Sequence, residues 1–63
     1  MEEKIIVKVF SGQNKIKHTE FKVYENALKY AKKHVDQGYN CQILRQDDGK
    51  TWCKINFYPS ETM

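Results

Sequence analysis

One proline, three glycines and two cysteines are all that the 63 residues contain of those types. The lone proline, Pro59, leaves everything before it without the residue that interrupts helices and central strands, and excludes a proline-rich linker. Two cysteines with no secretory leader suit reduced thiols better than a disulfide scaffold. Long hydrophobic runs are missing too. The longest aliphatic stretch is Ile5-Ile6-Val7, far below the ~20 apolar residues of a membrane span. Met1-Glu2-Glu3-Lys4 leads into no signal-peptide core, so secretion is not expected and the cytoplasm is the expected compartment. There is no glycine-rich phosphate loop and no nucleophile elbow.

The remaining composition is that of a small folded domain. Hydrophobic residues make up 40% and aromatics 13%, enough for a core and too many for a disordered chain. A chain this short buries only about 60% of the surface it exposes when unfolded. One helix on one sheet is what such a core can support. Eleven basic against eight acidic residues give a net charge of +3, a surplus that permits an anionic partner without demanding one.

Hydrophobic periodicity orders the elements. Ile5, Val7 and Val9 alternate with Ile6, Lys8 and Phe10, a strand pattern with apolar residues on both faces. Ser11-Gly12-Gln13-Asn14 is turn chemistry, and a second strand over roughly Ile16 to Val23 completes a hairpin. Residues 25–37 read as a helix whose inward stripe is Tyr24, Leu28, Ala31 and Val35, with Asn26 as N-cap and Gly38 just past the end. Tyr39 to Gln46 and Thr51 to Tyr58 form the last two strands. Asp47-Asp48-Gly49 suits a three-residue loop between them, which pairs Gln46 with Lys50, Ile43 with Cys53 and Cys41 with Ile55. The expected fold is α+β: a single ββαββ domain over residues 1–59, with a four-stranded antiparallel sheet and one helix on one face. Residues 60–63 are expected as a frayed tail.

The sheet face turned away from the helix is the candidate site. If the helix covers Val7, Val9, Phe21, Val23, Cys41, Ile43, Cys53, Ile55 and Phe57, the opposite face carries Ile6, Phe10, Ile16, Leu44, Trp52 and Tyr58. Lys8, His18, Gln42 and Lys54 are interleaved with them. Phe10 is expected beside Ile16, and Leu44 beside Trp52. A solvated sheet face normally turns polar, whereas a contiguous apolar patch rimmed by lysines marks an interaction site. A protein partner anchored on Trp52 ranks first. The brevity and composition are similar to those of small accessory proteins of bacterial and phage genomes, many of which modulate a larger machine. Single-stranded nucleic acid is the alternative, with Trp52, Phe10 or Tyr58 stacking on bases and Lys8, Lys54 and Arg45 near phosphates. The glycine-aromatic strand signature of RNA-recognition modules is absent. A homodimer packed sheet on sheet is the third reading. The helix offers a secondary surface at Tyr30, Lys29 and Lys33, expected to face solvent.

Catalytic and metal chemistry have little to stand on. Asp47 and Asp48 sit where a turn wants aspartate. His18 and Glu20 are a weak base–orienter pair. Cys41, Cys53, His18 and His34 lack the close ligand pairs of a zinc site, and diagonal cysteines on neighbouring strands are too far apart for a disulfide. A non-enzyme without cofactor or metal is the expectation.

Overall fold

Aliphatic residues on alternate positions put the first and third strands in the middle of the sheet. The computed structural model describes residues 3–59; the expected tail at 60–63 lies outside them. Its elements are β1 (Glu3–Ser11), β2 (Asn14–Phe21), α1 (Tyr24–Asp36), β3 (Asn40–Asp47) and β4 (Lys50–Phe57). They form the expected α+β fold, a four-stranded antiparallel sheet in the order β2-β1-β3-β4 with α1 against one face. Ile5, Val7 and Val9 of β1 and Cys41 and Ile43 of β3 are buried beneath the helix together with Ala27 and Ala31. Each large aliphatic side chain fully removed from water there contributes about 1.5–3 kcal/mol.

The two hairpins are built alike. In the first, Gly12 (φ 64°) opens a two-residue loop closed by the Ser11–Asn14 pair. In the second, Asp48 (φ 54°) and Gly49 (φ 79°) form the loop and Asp47 pairs with Lys50. The second loop thus has two successive positive φ angles, which aspartate and glycine tolerate best, and the first has one, at its leading glycine; both kinds of loop match the twist of the flanking strands. Each loop is followed on its edge strand by an unpaired residue. Val9 faces Lys17 but Phe10 faces Lys15, which leaves Ile16 over. Arg45 faces Cys53 but Gln46 faces Thr51, which leaves Trp52 over. These are β-bulges.

The second bulge corrects the expected register. Cys41 lies opposite Phe57, Ile43 opposite Ile55 and Leu44 opposite Lys54, so Leu44 and Trp52 are not neighbours. A two-residue loop plus one bulged residue shifts the phase of β4 as much as a three-residue loop does. Cys53, Ile55 and Phe57 therefore keep the helix-facing side on which they were expected. In the first hairpin the same effect sets Phe10 beside Lys15 instead of Ile16.

The inward face of the helix is wider than the stripe read from sequence and centred to one side of it. Ala31 is buried and Tyr24, Leu28 and Val35 pack against the core as expected, but the other fully covered residues are Ala27 and His34, and Tyr30, expected to face solvent, also points inward. The Tyr30 ring lies 5.2 Å from that of Phe21 and 4.4 Å from that of His34, and Thr19 Oγ1 donates to its hydroxyl at 3.2 Å. Small alanines let the helix sit close to the sheet, while Tyr30 reaches over β2. The helix starts at Tyr24 with Val23 as N-cap and no capping side chain. Asn26 sits inside the first turn, and Val23 is half exposed instead of covered. At the other end Gly38 (φ 97°) donates to the Val35 carbonyl and Tyr39 to that of His34. This is the paired closure that a left-handed residue after a helix allows.

Candidate functional site

The ladder registers lay out the helix-free face row by row. The central row is His18, Lys8, Gln42 and Asn56. On one side of it lies Glu20, Ile6, Leu44 and Lys54; on the other, Lys15, Phe10 and Asn40, with Tyr58 just beyond the end of β4. The central row is polar throughout and divides the apolar residues. Ile6 and Leu44 are each only 7% exposed, flanked by the Lys4–Glu20 ion pair (3.9 Å) and by Lys54. The contiguous apolar patch read from sequence is therefore two separate spots.

Trp52 belongs to neither. The guanidinium of Arg45 lies 4.8 Å from the Trp52 ring centroid and 4.3 Å from that of Tyr24, a helix residue. Arg45 also makes a two-pronged contact with Glu3, its Nη2 donating to Oε1 at 3.0 Å. The bulge thus carries Trp52 to the corner where the helix begins, away from Phe10 and Tyr58. The ring is 57% exposed and braced by a cation. The hydrogen bond from Arg45 holds the Glu3 carboxyl below its ordinary range and the arginine above its own.

Lysines dominate the helix-free face. Among the described residues, four of them, Lys4, Lys8, Lys15 and Lys54, share it with a single acidic residue, Glu20, a surplus of three. Glu20 is engaged by Lys4, and among the described residues Lys8, Lys15 and Lys54 make no ion pair. Phe10 and Tyr58 meet at the loop end of this face around a shallow cavity of about 330 Å3, whose lining includes Gln13, Asn40, Gln42 and Asn56. Gln42 Nε2 donates to Asn56 Oδ1 at 3.1 Å, a bond that uses neither the Gln42 carbonyl nor the Asn56 amino group. A second concavity of similar size at the opposite end is lined by Glu3, Lys4, Glu20, Phe21 and Lys22, where the two signs of charge balance.

No family model, curated protein or solved structure matches this chain. What the face can do follows from its own chemistry.

Of the residues singled out in the sequence, Phe10 and Tyr58 come together at one end, and Lys8 and His18 are cross-strand neighbours in the centre. Leu44 and Lys54 pair further along, Ile16 is the bulged residue of the β2 edge, and Trp52 is at the far corner. On the helix, Lys29 and Lys33 are exposed but Tyr30 is packed over the core, so the three do not form one solvent-facing patch. Sequence reasoning missed Lys15 and the amides Asn40 and Asn56. Their signal was available in the pairing: a two-residue first loop puts Lys15 beside Phe10, and a two-residue second loop followed by one bulged residue puts Asn56 beside Gln42.

The cysteines are free thiols on the helix side. Cys41 Sγ donates to the Ala31 carbonyl at 3.4 Å, and burial pushes its thiol up from the ordinary range. Among the described residues no cluster of three metal-ligating side chains occurs, and no helix is long and apolar enough to cross a membrane.

Proposed function

We propose that the protein is a non-catalytic binding module that docks a negatively charged macromolecule through its helix-free sheet face. The observation that carries this reading is charge: among the described residues, three lysines without an ion pair and His18 share a face with one acidic residue, itself engaged. Fixed charge of one sign on a firm sheet steers and retains a partner of the other sign. A protein partner on this face would be an acidic surface gripped by lysines, since Trp52 is not at its centre. A face-to-face homodimer is disfavoured, because it would set Lys8, Lys15 and Lys54 against their own copies. Binding is favoured over catalysis because His18 lies opposite Lys8 while Glu20 pairs with Lys4, so Glu20 is drawn away from the base–orienter role that the sequence suggested for it.

Immobilised heparin, a polyanion with neither bases nor side chains, tests charge alone. The double substitution Lys8→Gln/Lys54→Gln should elute at clearly lower salt than the parent protein. Lys29→Gln/Lys33→Gln removes the same charge from the helix and should elute unchanged. The opposite ranking would sink the assignment of the face.

A further inference from the structure

We propose that the charged macromolecule is a single-stranded nucleic acid, with one base seated between Phe10 and Tyr58 and its backbone running along Lys15, Lys8 and Lys54. This rests on the basic-face reading above and adds the partner's class. Charge alone would accept an acidic peptide equally well; the recess would not. The recess that Phe10 and Tyr58 border, lined by Asn40 of the intervening strand, is about 330 Å3 and leaves room for a planar ring. Tyr58 is 66% exposed, and a ring that open has a free π-face for stacking. On the floor, the hydrogen bond from Gln42 to Asn56 leaves one amide acceptor and one amide donor unused. That is the complement of a base edge, which presents donor and acceptor together, and it is wasted on a carboxylate, which only accepts. Both aromatic residues also belong to the same end of the sheet as Lys15, so stacking and phosphate contacts can be made by one strand. A duplex hides its bases and cannot use the recess.

Fluorescence anisotropy with a labelled oligo-dT measures the binding. With three lysines near phosphates, affinity should fall about 20-fold between about 50 and 200 mM salt. Tyr58→Ala should weaken binding about ten-fold, and Tyr58→Trp should restore it. Tyr58 lies outside the buried core, so its loss leaves the fold intact, which circular dichroism checks directly. In a Trp52→Phe background the new tryptophan at position 58 should be quenched by the oligonucleotide. Unchanged affinity in Tyr58→Ala, equal binding of a duplex, or better competition by poly-L-glutamate than by oligo-dT would each overturn the proposal. The last outcome would point to an acidic protein. Retention on heparin that survives while oligo-dT fails removes only the partner's class; loss of the heparin ranking removes the basic face itself.

Discussion

The two hairpins share one plan and differ in what they hang on it. Loop, closing pair, second pair and bulge follow in the same order at Gly12–Ile16 and at Asp48–Trp52. The central strands run antiparallel with Val7 opposite Ile43, so a local two-fold axis through that pair exchanges the hairpins. At the first bulge sits Ile16, an exposed aliphatic with lysines on either side. At the second sits Trp52, anchored by Arg45 to the helix and to Glu3. The position equivalent to Arg45 is Val9, which is fully buried. One hairpin therefore uses its bulge to tie sheet to helix, and the other leaves it open beside the basic face. The same pairing and bulge pattern has been given a structural task at one end and a surface at the other.

The shared axis is where disruption should be greatest. Ile43→Ala removes a fully buried side chain common to both halves and should cost about 2–5 kcal/mol in urea unfolding. Because the pair joins the hairpins, the loss should appear in a single transition; two separated transitions would show that the halves fold independently. Next come the loops. Gly12→Ala and Gly49→Ala each force a side chain into the left-handed region, at about 1–2 kcal/mol. Similar penalties would support equivalence of the two loops, whereas a tolerant Gly12 would show that only the second is under conformational demand. The bulges should then separate: Trp52→Ala should lower stability by about 1 kcal/mol, while Ile16→Ala stays within about 0.5 kcal/mol. Equal effects would contradict the assigned division of labour.

The smallest expected effect concerns pH. The Glu3 carboxyl is held below its ordinary value of 4.5 by Arg45. A depressed carboxyl contributes stability in full above its unfolded-state value and loses it as pH falls through the folded-state value. The stability difference between the parent protein and Glu3→Gln should thus be constant near neutrality and shrink in acid. Both groups are at the surface, so the difference is small and should fade in high salt.

How much of this was written in the residues differs between elements. Strand and helix order followed from periodicity, because Ile5, Val7 and Val9 can only alternate and the stretch after Val23 can only be helical. The helix-facing set in β4 was legible for a subtler reason. A three-residue loop and a two-residue loop plus bulge put Cys53, Ile55 and Phe57 on the same side. The position of Trp52 was not legible by that route, since strict alternation assigns it to the open face. Asp48-Gly49 is the strongest two-residue loop signal available, and combined with the phase of Cys53 it demands one extra residue, at Thr51 or Trp52. The full width of the helix's inward face had no comparable cue. Tyr24, Leu28 and Val35 pack against the core as the periodicity implies, and the sheet's need for something over Phe21 and Thr19 adds Tyr30 and His34 to them.

The bulges also bear on how the sheet ends. An edge strand normally offers a straight row of unpaired amides and carbonyls onto which a strand from another molecule can add. Here both edges, β2 and β4, have that row interrupted, leaving only Lys17–Phe21 and Cys53–Phe57 in regular register. A would-be fifth strand would lose its alignment after five residues at either edge. The irregularities thus limit how far another strand could extend the sheet at either edge.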